Sequence, residues 1–89
     1  MAWTIEFSRR AEKDAALIAA EGRVLAKKVD DLLAILEKNP FQNPPPYEKL
    51  GGDLKGSNSR RINKQHRLVY EVEKKIKVVL VTRMWSHYE

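Results

Sequence analysis

All four prolines of this 89-residue chain fall between positions 40 and 46, as Pro40, Pro44, Pro45 and Pro46, and they separate two stretches of different periodicity. Proline fixes φ and has no N–H to donate, so the cluster excludes a helix interior or a central strand there. With Gly51, Gly52 and Gly56 just beyond it, the cluster predicts an ordered but irregular loop over residues 40–57 rather than an element. Pro44-Pro45-Pro46 reads as a stiff spacer in preference to a ligand for a proline-recognition module, and its use would be to hold Glu48 in place. Ahead of the loop, Trp3-Thr4-Ile5-Glu6-Phe7 alternates at period two, as a short half-buried strand does, and Ser8 can then cap a helix. Ala11, Ala15, Ile18 and Ala19 make one apolar stripe up to Glu21-Gly22. A second stripe of Leu25, Val29, Leu32, Leu33 and Leu36 runs to Asn39, which Pro40 pushes out of the α region. These segments are a helical hairpin or one bent helix. Behind the loop, residues 59–62, 67–72 and 76–84 are β-branched and aromatic, with Asn63-Lys64-Gln65 and Glu73-Lys74-Lys75 as turns. Connections this short make an antiparallel meander. The order is an N-terminal strand, two helices and a three-stranded meander, which gives an α+β fold with the helices laid on one sheet. A chain of this length supports one hydrophobic core, so a single domain over residues 1–89 is expected.

Register then places side chains. Directly opposite residues share a face of the sheet. A first turn centred near Lys64 sets Arg61 opposite Arg67, and a second centred near Lys74 sets Arg67 opposite Val81. Alternation sends Leu68, Tyr70 and Val72 into the core with Trp3, and Arg67, Val69 and Glu71 to the other face. Two arginines side by side repel unless an anion lies between them, so the pair is either splayed into water or a prepared phosphate site. Charge distribution favours an anion. Net charge is +5, from 17 Lys+Arg against 12 Asp+Glu, and residues 47–67 hold six basic side chains (Lys49, Lys55, Arg60, Arg61, Lys64, Arg67) against Glu48 and Asp53. A local positive field of this kind suits a polyanionic partner. If that partner is RNA, Lys49, Lys55, Arg60, Arg61 and Lys64 are its expected contacts. The chain has no cysteine and two histidines, too few for a convincing zinc site, so neither metal nor cofactor is expected. No apolar run approaches the roughly 20 residues of a membrane span, and the N-terminus lacks the hydrophobic core of a signal peptide. A cytoplasmic location with no membrane partner is the expectation.

Four blocks together resemble a known family: Pro45-Pro46-Tyr47-Glu48-Lys49-Leu50, Ser59-Arg60-Arg61-Ile62, His66-Arg67-Leu68-Val69-Tyr70 and the closing His87-Tyr88. In this order, and with the Asn39-Pro40-Phe41 boundary, the chain resembles the YoeB/Txe toxins of the RelE/ParE superfamily along nearly its whole length. That resemblance implies a RelE-like fold and an mRNA interferase of a type II toxin-antitoxin system, which enters the ribosomal A site and cuts the message there. It also implies neutralisation by a cognate antitoxin and a possible homodimer. By motif match, Glu48, Arg67, His87 and Tyr88 take the positions of the family's active-site residues, with Arg61 beside them.

The residue types suit that chemistry. Attack of a ribose 2′-hydroxyl on the adjacent phosphate needs a base, positive charge on the phosphorane, and an acid for the departing 5′-oxygen. A glutamate, with a reference pKa of about 4.3, can be the base. Arg67 cannot lose its proton and grips the phosphate. A histidine, with a reference pKa of about 6.5, is the natural acid, and His87 is preferred over His66, which precedes Arg67 at a turn. Tyr88 fits orientation of the phosphate, stacking on a base or proton transfer. Trp85 fits either the core edge or a stacking surface. His87 and Tyr88 follow the last strand by a few residues and can fold back to the basic face. Three features depart from the family pattern: Ser57-Asn58 stands where many members have an aromatic before Ser-Arg-Arg, Gly51 stands where a lysine is often found, and Glu89 adds a carboxylate close in sequence to His87, which is expected to favour its protonated form. Two other readings use the same residues differently. A gyrase-inhibiting branch of the superfamily lacks the Glu, Arg, His-Tyr set, and a non-catalytic RNA- or ribosome-binding protein needs the arginines but not Glu48 or His87.

Overall fold

The computed structural model describes residues 2–84. Ser8 is where the chain changes period. Its backbone is extended, and its hydroxyl accepts from the Ala11 N–H at 3.1 Å, capping helix α1 (Arg9–Glu21). The same hydroxyl donates to the Thr82 carbonyl at 2.9 Å, while the Ser8 N–H donates to Val81 at 2.9 Å. One residue thus ends strand β1 (Thr4–Phe7), starts α1 and ties both to the last strand. Helix α1 stops at Gly22, whose φ of 134° and ψ of 173° an L-residue rarely adopts, and α2 (Arg23–Lys38) begins anew. The connection is therefore a one-residue elbow between two helices, not a bent helix. Asn39 leaves α2 in an extended conformation ahead of Pro40.

Beyond the proline segment come β2 (Glu48–Lys49), β3 (Ser57–Arg61), β4 (Arg67–Glu73) and β5 (Val78–Arg83). They form one sheet in the order β1-β5-β4-β3-β2, with β1 parallel to β5 and the other pairs antiparallel. The α+β class and the meander of β3, β4 and β5 are as the sequence predicts. Three details differ. The loop over 40–57 holds a two-residue strand, with Glu48 opposite Ser59 and Lys49 opposite Asn58, and a 3₁₀ turn at Gly52–Leu54; two residues are too few to show a period. The second turn spans residues 74–77, with Lys77 at φ 53°, and a register irregularity falls between Val69 and Tyr70. Val81 accordingly lies opposite Tyr70 in the core rather than opposite Arg67 as expected, and Arg83 lies opposite Val69. Finally, the buried line of α1 is Ala11, Asp14 and Ile18, so Ala15 is half-buried and Ala19 exposed. Asp14 tolerates its place because its Oδ2 accepts from the Met84 N–H at 3.0 Å.

Both helices lie on one face of the sheet. Ile18 of α1 and Val29, Leu32 and Leu36 of α2 pack on Leu68, Tyr70, Val79 and Val81, with Ile62 and Met84 at the ends. Trp3, Ile5 and Val72 close the flank, Trp3 meeting Phe41 edge-on at 6.0 Å. With one face filled in this way, the alternate positions Ser57, Ser59 and Arg61 of β3 and Arg67, Val69 and Glu71 of β4 point to the other. No helix among the described residues is long and apolar enough to cross a membrane.

Candidate active site

The face of the sheet away from the helices is built in rows. Register sets Glu48 opposite Ser59, Ser59 opposite Val69, and Val69 opposite Arg83, a line running across four strands. One step along β3 and β4, Arg61 lies opposite Arg67, the pairing expected from the sequence. Ser59 is the corner where the two rows meet. Its hydroxyl accepts from Arg67 Nη1 at 3.1 Å, and the same Nη1 stands 3.5 Å from Glu48 Oε2. Arg67 is mostly covered, its side chain 19% exposed, whereas Glu48 is 66% exposed. A partly exposed pair of this kind stabilises the fold by only about 0–1 kcal/mol, so its geometry is better explained by what it presents than by what it holds together. Pro46, Tyr47, Glu48, Ser59, Arg61 and Arg67 line a cleft of about 250 Å³. Two opposed arginines are the kind of arrangement that can hold an anion, and a carboxylate at the rim is the kind of group that can take up a proton from it.

Of the residues singled out in the sequence, Glu48, Arg61 and Arg67 come together in this cleft. Lys49 and Lys55 line a different hollow of about 560 Å³ with Phe41, Asn58 and Val72, on the helix side of the β2 edge. Lys64 borders a wide groove of about 930 Å³ between the start of α2 and the end of β3, with Arg61 shared between groove and cleft. Arg60 is a correction. It lies opposite Leu68 on the core face and is 1% exposed, so it is not available as an RNA contact. Its Nε donates to the Tyr70 hydroxyl at 3.1 Å, its Nη1 to the Pro45 carbonyl at 2.6 Å, and its Nη2 to the carbonyls of Pro40 and Gln42 at 3.0 and 2.8 Å. The Tyr47 ring covers the guanidinium at 4.9 Å. Burial pushes the Tyr70 phenol above its usual pKa, and the neighbouring Arg60 charge offsets only part of that. The phenol keeps its proton and donates it to the Pro40 carbonyl at 3.3 Å.

His66 is buried at the turn before β4, where its N–H donates to Asn63 Oδ1 at 2.7 Å and its carbonyl receives the N–H groups of Ile62 and Asn63. Trp85, His87, Tyr88 and Glu89 lie outside the described residues. Among those described, no three His, Cys, Asp or Glu side chains gather as a metal ion would need. Sequence reasoning missed Ser59 and Tyr47 as parts of the site. For Ser59 the signal was present: it stands two residues before Arg61 on a strand and so shares its face.

Comparison with known proteins places the chain. The family model for the YoeB-like toxin of bacterial type II toxin-antitoxin systems matches residues 7–88. Toxin YoeB of Streptomyces coelicolor is 37% identical over 67 residues, 75% of this chain and 80% of that protein. In three dimensions the chain is similar to a YoeB/ParE toxin from Agrobacterium tumefaciens, with TM-score 0.86 and 27% identity over 96% of this chain and 99% of the other. It is also similar to the Staphylococcus aureus YoeB, solved in a YoeB-YefM complex and as a dimer, with TM-scores of 0.81 and 0.82 and 32% identity over 97% of this chain and 98% of that one. A family match along nearly the whole chain, a fold shared end to end and the blocks around Glu48, Arg61 and Arg67 agree: this protein belongs to the YoeB-like toxins of bacterial type II toxin-antitoxin systems.

Proposed function

We propose that this toxin is an mRNA interferase, a cytoplasmic single-domain endoribonuclease that cuts messages in the ribosomal A site without a metal ion. The observation that carries the reading is the convergence of Glu48, Arg61 and Arg67 on one cleft, with Arg67 Nη1 3.5 Å from Glu48 Oε2. In the absence of RNA, Arg67 bridges the glutamate and Ser59. An arriving phosphodiester competes for the guanidinium, which turns to the non-bridging oxygens and leaves the carboxylate free. Glu48 then removes the proton of the 2′-hydroxyl, and the oxygen attacks the adjacent phosphorus. Arg67 and Arg61 stabilise the charge that builds on the phosphorane. The bond to the 5′-oxygen breaks as His87 protonates it, leaving a 2′,3′-cyclic phosphate and a 5′-hydroxyl. His87 as the acid and Tyr88 as its neighbour in the site rest on the family resemblance. Lys49, Lys55 and Lys64, set around the cleft rather than in it, carry nucleic acid on either side of the cut.

The partners follow from the family and its relatives. A cognate antitoxin covers the basic face, as a YefM antitoxin accompanies the Staphylococcus aureus relative, and the toxin alone pairs with a second copy, as that relative does. The test is to map new 5′ ends on a defined mRNA incubated with the purified protein, with and without ribosomes programmed on it. Cuts confined to A-site codons of ribosome-bound message are the expected result. Intact message in both arms, together with loss of gyrase supercoiling activity, would replace this reading with the gyrase-inhibiting one.

A further inference from the structure

Glu48 sits on an edge strand of two residues, which by itself holds little. The eight residues before it contain all four prolines of the chain, so this stretch offers few N–H groups for a ladder, and its carbonyls need donors from elsewhere. Arg60 supplies them. Its planar fork reaches the carbonyls of Pro40, Gln42 and Pro45, and the Tyr47 ring lies against its face. The last two of these holds fall three residues and one residue before Glu48. Among the described residues no carboxylate pairs with Arg60, so the buried charge is balanced by three carbonyl dipoles, the Tyr70 oxygen and the two tyrosine rings. The strand that carries Arg60 on its core face carries Ser59 and Arg61 on the opposite face, so the backbone that holds Arg60 also sets one wall of the cleft.

We infer that Arg60 is a positioning residue for Glu48: it clamps the proline segment so that the carboxylate arrives at Ser59 and Arg67, and it touches no RNA. This inference rests on Glu48 being the base. Lysine cannot take over the task, because an ammonium is a point charge without the planar fork that serves several carbonyls at once.

The test compares wild type, Arg60→Lys, Glu48→Gln and the double variant, each first shown to be folded by its thermal melt. Arg60→Lys is expected to lower kcat by up to about 100-fold, the cost of misplacing a reacting group by an ångström, with KM changed by less than about twofold. In the Glu48→Gln background the same substitution is expected to cost nothing further, since the group it positions is gone. Amide exchange in residues 40–50 is expected to rise on the order of tenfold, as when one hydrogen bond is lost, while α1, α2 and β5 stay as in wild type. If Arg60→Lys melts below the assay temperature, Tyr70→Phe takes its place; it removes only the hydroxyl between Arg60 and Pro40, and a smaller change of the same kind is expected. The clamp would be overturned by unchanged exchange over 40–50, by multiplicative losses in the double variant, or by a drop of about 0.7 in the salt slope of RNA binding, the mark of a phosphate contact. An active Glu48→Gln would instead remove Glu48 as base. An inactive Glu48→Gln beside a fully active Arg60→Lys would refute the clamp alone.

Discussion

Arg60 and Arg61 are neighbours of identical chemistry with opposite fates. Parity on β3 decides between them: Arg61 falls opposite Arg67 on the cleft face, Arg60 opposite Leu68 in the core. The sequence carried this distinction, because the expected pairing of Arg61 with Arg67 already commits Arg60 to the side where alternation places Leu68. Counting both as RNA contacts ignored that consequence. What no pattern shows is where the buried guanidinium goes, since its carbonyl partners lie 15 to 20 residues away in a segment without periodicity. Arg67 illustrates the opposite case, a residue whose place in the cleft follows from its strand position. Arg67→Ala is expected to lower the cleavage rate by about 10²- to 10³-fold, as loss of one transition-state donor does. Its melting point is expected to stay near wild type, because an ion pair with an exposed partner stabilises little; kinetics and a thermal scan on one preparation check both. Tyr70 gives a pH signature. Its pKa is raised on folding, mainly by burial, so the folded state retains a proton that the unfolded chain releases near its ordinary value of 10.0. The stability this contributes is complete below that value and is lost as pH rises through the higher folded one. Chemical denaturation between neutral and strongly alkaline pH is expected to show a decline above pH 10 that is smaller in Tyr70→Phe.

At the scale of elements, the strong periods were legible and the short elements were not. Strand β1, both helices and the three meander strands follow from alternation or from 3.6-residue stripes, within one or two residues at most ends. Strand β2 is invisible because two residues cannot alternate, yet it delivers Glu48. The second hairpin was displaced because its turn runs over four residues with Lys77 at positive φ, and such a shift changes which side chains oppose one another. The break at Gly22 was legible as a glycine between two stripes, and its backbone explains it. No atom lies within 4 Å of where a Cβ would be, so a substitution there costs only backbone strain. Gly22→Ala is expected to lower stability by about 1–3 kcal/mol through its φ of 134°, without changing the cleavage rate of the folded protein. Urea unfolding beside the cleavage assay tests the pair of statements.

For the whole molecule, the sheet divides the labour between its faces. Helices α1 and α2 cover one side with an apolar core, and among the described residues Glu48, Ser59, Arg61 and Arg67 line a cleft on the other. The division also separates the charges: most of the basic excess lies in residues 47–67, but only Arg61 and Arg67 of that group reach the cleft. RNA binding is therefore expected to be salt-dependent, with Arg61→Ala reducing the slope of log K against log salt by about 0.7, one single-strand phosphate contact. Composition and resemblance together made the class of protein readable, and register made the arginine pair readable. Which cations reach the cleft needed the fold. In the proposed mechanism the carboxylate of Glu48 acts on RNA held by Arg67. Its most direct test is single-turnover cleavage on programmed ribosomes by Glu48→Gln, which keeps the shape of the side chain and removes its basicity. The expected rate is lower by about 10²- to 10⁴-fold with ribosome binding retained; cleavage at the wild-type rate would remove Glu48 as the base.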